Sequence, residues 1–287
     1  MSAMENSLDI DNHCLNKVKI EDNDRYQVII LTSEVYHKRL FAVAAYNIEL
    51  AHCLENISDP MLSQIKLQWW VEALEDAKAG NVREHPVLQS LNNTALISNN
   101  STYAALKSLC EYRLDSIVLP QNQSLSVITQ YARRTSGELH RLFTSLLGAT
   151  DEDVLKASED IGTAFGLLGF LKAICFKNTE QIDLLPIDTI ESEGLTRPDL
   201  MHQDLTHIII KACRDMSSTI SELILSARQT PVKHEKNVTG LFQLAIYVEN
   251  DLKLMRQHDF NAKEINLEQG HFTLLCKSIW NMFRGTF

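Results

Sequence analysis

Three Glu-x-x-His pairs occur in this chain: Glu34 with His37, Glu49 with His52, and Glu268 with His271. On a helix that spacing sets a carboxylate and an imidazole on one face, the arrangement by which di-iron bundles hold metal. Glu34 opens its helical pattern and Gly270 interrupts the third pair, so only Glu49 and His52 sit mid-helix. A hydrogen-bonded polar pair is the expected reading, with no metal; a metal-binding helical protein is the weakest alternative. The second group is cationic. Arg133, Arg134, Arg141, Lys172 and Lys177 suit a diphosphate or acidic lipid headgroup if they converge, and are otherwise solvated. Trp69, Phe165 and Leu168 offer apolar surface for a hydrocarbon tail, although Trp69-Trp70 beside Ile65 and Leu74 reads first as core. Gly162, Gly166 and Gly169 line one side of a helix, which predicts close approach of a second helix.

The elements that position these residues are helical. Ten glycines and six prolines in 287 residues make about 6% of the chain, half the usual ~12%, so turns are scarce and elements long. This predicts a single all-α domain over residues 23–287, preceded by a flexible polar tail at 1–22. Helical patterns run over Asp24–Leu54 with a break near Thr32-Ser33, then Pro60–Ala79, Pro86–Ile97, Thr102–Ile117, Ser124–Leu147 and Asp151–Phe176. After an irregular stretch they resume over Leu205–Ala227, Val238–Gln257 and Leu267–Phe283. Asp59 is placed to cap the second of these, with Pro60 at its first position.

Charge and cysteines narrow the function. A net charge of −10 argues against nucleic acid. Six cysteines without a CxxC pair read as mostly buried, reduced thiols. The N-terminus carries Glu5, Asp9 and Asp11 and no apolar run, so neither a signal nor a transit peptide is expected. The longest apolar stretch, Ile161–Phe176, falls short of the ~20 residues that span a bilayer. The expected location is cytoplasmic, with contact at the inner-membrane surface left open.

The segment Ala45–Leu74, AYNIELAHCLENISDPMLSQIKLQWWVEAL, together with Gly169–Pro186, GFLKAICFKNTEQIDLLP, resembles the squalene/phytoene synthase family. The resemblance runs from about Asp24 to Pro186 and implies an isoprenoid-synthase-like helical domain with a central cavity. Active members carry two aspartate motifs that hold Mg²⁺ against a prenyl diphosphate. Here the first motif's positions are Ala51, His52 and Glu55. At the second, Lys172 stands at the arginine position and Ala173 and Lys177 replace the aspartates, while Leu185-Pro186 is kept.

Mg²⁺ wants hard oxygen ligands, and ionising an allylic diphosphate needs that charge on the leaving group. The losses at both motifs imply that no catalytic residue remains. Within the superfamily the pattern resembles a divergent branch that includes assembly factors of respiratory complex I. The resemblance therefore implies a non-catalytic assembly factor for NADH:ubiquinone oxidoreductase, or a prenyl-lipid-binding scaffold. Its partners would be a complex I subunit or assembly intermediate and an isoprenoid diphosphate or anionic lipid, with no cofactor. The alternative is an active head-to-head prenyltransferase with a variant Mg²⁺ site.

Overall fold

The computed structural model describes residues 3–54, 59–117, 123–176, 183–202, 204–231, 238–262, 264–265, 271–284 and 286–287. Among them every regular element is a helix. The N-terminal half comprises α1 (Ala3–Glu21), α2 (Asn23–Ile30), α3 (His37–His52), α4 (Pro60–Lys78), α5 (Pro86–Asn93) and α6 (Asn100–Ser116). The middle comprises α7 (Leu125–Ala132), a π turn (Arg133–Gly137), α8 (Glu138–Leu146) and the long α9 (Glu152–Phe176). Then follow α10 (Ile187–Ser192), α11 (Thr206–Arg228), α12 (Thr239–Phe242), α13 (Leu244–Gln257) and α14 (His271–Arg284).

Local chemistry sets the boundaries. Asp59 caps α4 by accepting a hydrogen bond from the Met61 N–H, with Pro60 at the first position where no donor is missed. Asn99 and Ser124 cap α6 and α7 in the same way. Gly80 and Gly148 follow α4 and α8 with φ of +97°, a left-handed conformation that glycine adopts without a Cβ clash. The expected single helix over 124–147 is interrupted by the π turn, because α9 presses against it. A Cβ on Gly162 would lie 2.5 Å from the Ser136 carbonyl oxygen, and one on Gly166 2.8 Å from Ser136 Cβ. Both glycines thus serve close helix packing. Gly169 has open space around it.

Within the segment expected to be a flexible polar tail, the described residues are helical. Ala3–Glu21 form α1, which packs on α3 and α5 with Cys14 and Val18 buried. These two apolar residues, one turn apart, form a stripe too narrow to stand out from so polar a sequence. Polar contacts complete the docking: Lys17 pairs with Glu49 at 3.1 Å and Lys38 with Asp11 at 2.8 Å, and His52 Nε2 lies 2.7 Å from Glu21. The core follows α3 and α9. α3 is sheathed by α1, α2, α5, α6 and α8, and α9 by α7, the π turn, α8, α11 and α13, so α8 links the two.

Candidate functional site

Two arginines lie in the interior among α2, α3, α6 and α9. Arg25 on α2 donates through Nη1 to Asp22 Oδ2 at 2.6 Å and through Nη2 to Ser136 Oγ at 2.6 Å. Ser136 passes the chain on by donating to the Gly162 carbonyl. The Arg25 guanidinium lies 4.5 Å from the Phe165 ring centroid, and its buried Nε has no hydrogen-bond partner among the described residues.

Arg113 on α6 is 5% exposed. It donates to Asn47 Oδ1 at 2.7 Å and to the Leu109 carbonyl at 2.8 Å. Burial lowers its pKa, and the nearby Arg25 charge lowers it further, against the phenols of Tyr131 and Tyr46, which act in the opposite sense. Among the described residues it has no carboxylate partner. A buried cation neutralised only by neutral acceptors is costly, and an anion at hand would relieve it.

Tyr131 connects this cluster to a cleft of about 250 Å³, bounded by Ser116, Gln123, Ile128, Tyr131, Phe170, Asp183 and Leu184. Tyr131 meets Phe170 edge-on at 5.8 Å, and burial raises its phenol pKa. The cleft is mainly apolar, a lining suited to hydrocarbon, with hydroxyl and amide groups and the Asp183 carboxylate at its edge; Asp183 lies 4.0 Å from Arg197.

At the motif positions the donors are missing or engaged. Ala51 and Ala173 are half-buried and offer no ligand atom, and His52 Nε2 is held by Glu21 at 2.7 Å. Glu55 and Lys177 lie outside the described residues. The set Ala51, His52 and Ala173 does not fit Mg²⁺, which takes several hard oxygens. Glu49 turns to Lys17, so the Glu49–His52 pair ties α3 to α1. His37 reaches the Thr32 carbonyl at 3.1 Å, while Glu268 is outside the described residues.

Each described cation singled out by sequence is engaged by an acid. Lys172 pairs with Asp251 of α13 at 2.6 Å. Arg133 contacts Glu159 and Asp160, and Arg134 contacts Glu138 while lying 5.4 Å from the Tyr112 ring. Arg141 pairs with Glu152 at 2.8 Å. The apolar candidates have different surroundings. Leu168 is core and Phe165 lies beneath Arg25.

Trp69 and Trp70 part company: Trp70 is buried against Tyr46 and His85, whereas Trp69 is 36% exposed beside Arg83. Trp69 borders a second cleft of about 370 Å³, with Glu49, His52, Ile65 and Lys66, on the α3–α4 side. The sequence reading missed Arg25 and Arg113, yet their signal was present. Arg113 continues the stripe Leu106, Leu109, Cys110 at helical spacing, and Arg25 precedes Val28 and Ile29 in the same manner.

Comparison with known proteins agrees with this architecture. A dehydrosqualene synthase crystal structure superposes with a TM-score of 0.77 at 14% identity, covering 99% of this chain and 100% of that one. Squalene synthase from Alicyclobacillus acidocaldarius superposes with a TM-score of 0.68 at 17% identity, over 88% and 95% of the two chains. Among curated proteins, complex I assembly factor 6 of Mus musculus is 23% identical over 262 residues, 91% of this chain and 78% of the mouse protein. The Homo sapiens protein of that name is 23% identical over 259 residues, 90% of this chain and 78% of its own length. The squalene/phytoene synthase family model matches residues 18–269, and the chain belongs to the squalene/phytoene synthase family.

Proposed function

We propose that this protein helps to assemble respiratory complex I, using the prenyl-synthase fold as a non-catalytic scaffold that binds an isoprenoid diphosphate or anionic lipid at a membrane surface. One observation carries the non-catalytic part. Where the fold's enzymes place carboxylates for Mg²⁺, this chain has Ala51, Ala173 and a His52 already committed to Glu21. Support for the assembly role is the likeness to assembly factor 6 over some nine-tenths of the chain.

The ligand part follows from charge. Arg113 supplies an interior guanidinium with no carboxylate partner among the described residues, Arg25 a second one already paired with Asp22, and the Tyr131–Phe170 cleft supplies apolar wall. Lys172 joins them only by exchanging Asp251 for the ligand's phosphate. Lys177 is the further cation proposed from sequence. Binding of this kind needs no metal, because guanidinium pairs with phosphate directly through charge-assisted hydrogen bonds. Among the described residues no helix is long and apolar enough to cross a membrane, so contact with lipid would be peripheral.

The test has two arms. Deleting the gene should lower NADH:ubiquinone oxidoreductase activity and its assembled complex while leaving the C30 and C40 isoprenoid profile unchanged. Purified protein should release no pyrophosphate from farnesyl or geranylgeranyl diphosphate with Mg²⁺. Metal-dependent release above a heat-killed control would replace this reading with a prenyltransferase.

A further inference from the structure

The C-terminal helix leaves one face uncovered. α14 packs inward through Leu274 and Ser278, which are buried. Thr273, Cys276, Lys277, Trp280 and Arg284 recur at i, i+3, i+4, i+7 and i+11 and are exposed, so they share the opposite face. Trp280 is 64% exposed, and Ile279 at its edge 40%. A large aromatic so placed loses contact area to water that a lipid or protein surface would restore.

The charge of this segment is opposite to that of the chain. Residues 271–287 contain Lys277 and Arg284 and no Asp or Glu, within a protein of net charge −10. Near an anionic surface the body of the protein is repelled and this end attracted, so the field itself selects the orientation. Lys277 and Arg284 flank Trp280 by about one turn on either side, the pattern of helices that lie in a bilayer interface.

We propose that α14 docks this protein on an anionic phospholipid surface. Trp280 and Ile279 enter the headgroup layer, and Lys277 and Arg284 pair with lipid phosphates. The inference deepens the membrane part of the reading above and rests on it.

The test is sedimentation of the full chain with sucrose-loaded vesicles. One set is phosphatidylcholine alone; the other is two parts phosphatidylcholine to one part phosphatidylglycerol. The protein should bind the anionic set and not the neutral one. The double variant Lys277→Gln, Arg284→Gln should bind about thirtyfold more weakly, roughly a factor of five for each cation removed. Trp280→Ala should weaken binding separately, and Trp280→Phe should remove the blue shift of tryptophan emission seen on adding vesicles.

Because these positions are exposed, the variants should leave the thermal melt unchanged, which separates lost binding from loss of fold. Absence of binding, equal binding to neutral vesicles, or undiminished binding by the α14 variants would overturn the proposal. Arg113→Gln separates the two ideas. If it abolishes vesicle binding while the α14 variants retain it, interior headgroup capture carries the docking and the α14 inference fails alone. If the α14 variants lose vesicle binding but gene deletion spares complex I, the docking surface stands and the assembly reading falls.

Discussion

Replacing Arg113 by methionine isolates the interior cation. In the wild-type chain the guanidinium is 5% exposed, with one acceptor from Asn47 and one from the Leu109 carbonyl of its own helix. Taking such a charge from water costs several kcal/mol, and two neutral acceptors recover only part of it. Methionine removes that cost. Against it stand an orphaned Asn47 Oδ1, worth about 1–3 kcal/mol, and imperfect packing of under ~1.5 kcal/mol. The desolvation term wins, so Arg113→Met should stabilise the unliganded protein by about 1–2 kcal/mol, read from urea denaturation.

Inorganic pyrophosphate reverses the order. At a hundredfold excess over Kd it should stabilise the wild type by about 2.7 kcal/mol and leave Arg113→Met unaffected, in EDTA as well as without it. A loss of more than about 3 kcal/mol in Arg113→Met, with its pyrophosphate response intact, would refute the reasoning: that is the cost of breaking a compensated buried charge. Dependence of the wild-type response on Mg²⁺ would refute it equally.

Three further outcomes are expected. His140 is fully buried, and burial followed by the Arg25 charge lowers its pKa to about 3 from an ordinary 6.5. Because the unfolded chain takes up the proton first, stability should fall as pH drops below 6.5, by roughly 3 kcal/mol at pH 4, and His140→Leu should flatten that part of the pH–stability curve. Gly162→Ala should destabilise by about 1–3 kcal/mol, since the new Cβ meets backbone at Ser136, whereas Gly169→Ala should be neutral or stabilising by up to ~1 kcal/mol in thermal melts. In a thiol-labelling time course Cys276 should react at once. Cys14, Cys53 and Cys110, buried and with pKa values pushed up to about 11, 11 and 12, should label only on unfolding.

The fold was legible because its rules are local. Asp59-Pro60, Gly80 and Gly148 mark helix ends by chemistry that one or two residues complete, and scarce turn residues leave no room for a sheet. α1 was not legible. Its helix is stabilised by Lys17 and Glu21 meeting Glu49 and His52 some thirty residues away, and a pairing at that distance has no period to read. The site was legible only in its losses. Ala51 and Ala173 announce missing carboxylates wherever they point, but the role of a cation depends on what faces it. Lys172, Arg133 and Arg134 had the right charge and proved to be matched to acids. Arg113 drew no notice because a charged residue in a helix is ordinarily solvated, and only its register with Leu106, Leu109 and Cys110 says otherwise.

Losing carboxylates and burying arginine change the same quantity, the electrostatic potential inside the fold. A cavity lined with aspartates is negative and accepts a diphosphate only after metal ions reverse its sign. With Ala51 and Ala173 in those places, an Mg²⁺ ion has little to hold it, and among the described lining residues of the Tyr131–Phe170 cleft the one carboxylate an unaccompanied diphosphate would meet is Asp183. Arg25 is already compensated by Asp22, so on the proposed reading the sign is left to Arg113, whose guanidinium stays protonated even when burial lowers its pKa. The difference matters for chemistry. A metal-bound leaving group departs because charge is neutralised as it develops, on oxygens the ions already hold. Arginines that bind the ground-state head equally well lower its free energy with no gain for the transition state, which favours retention over turnover. On the function proposed above, the changes that would remove catalysis are the same ones that would suit the fold to holding an anionic lipid.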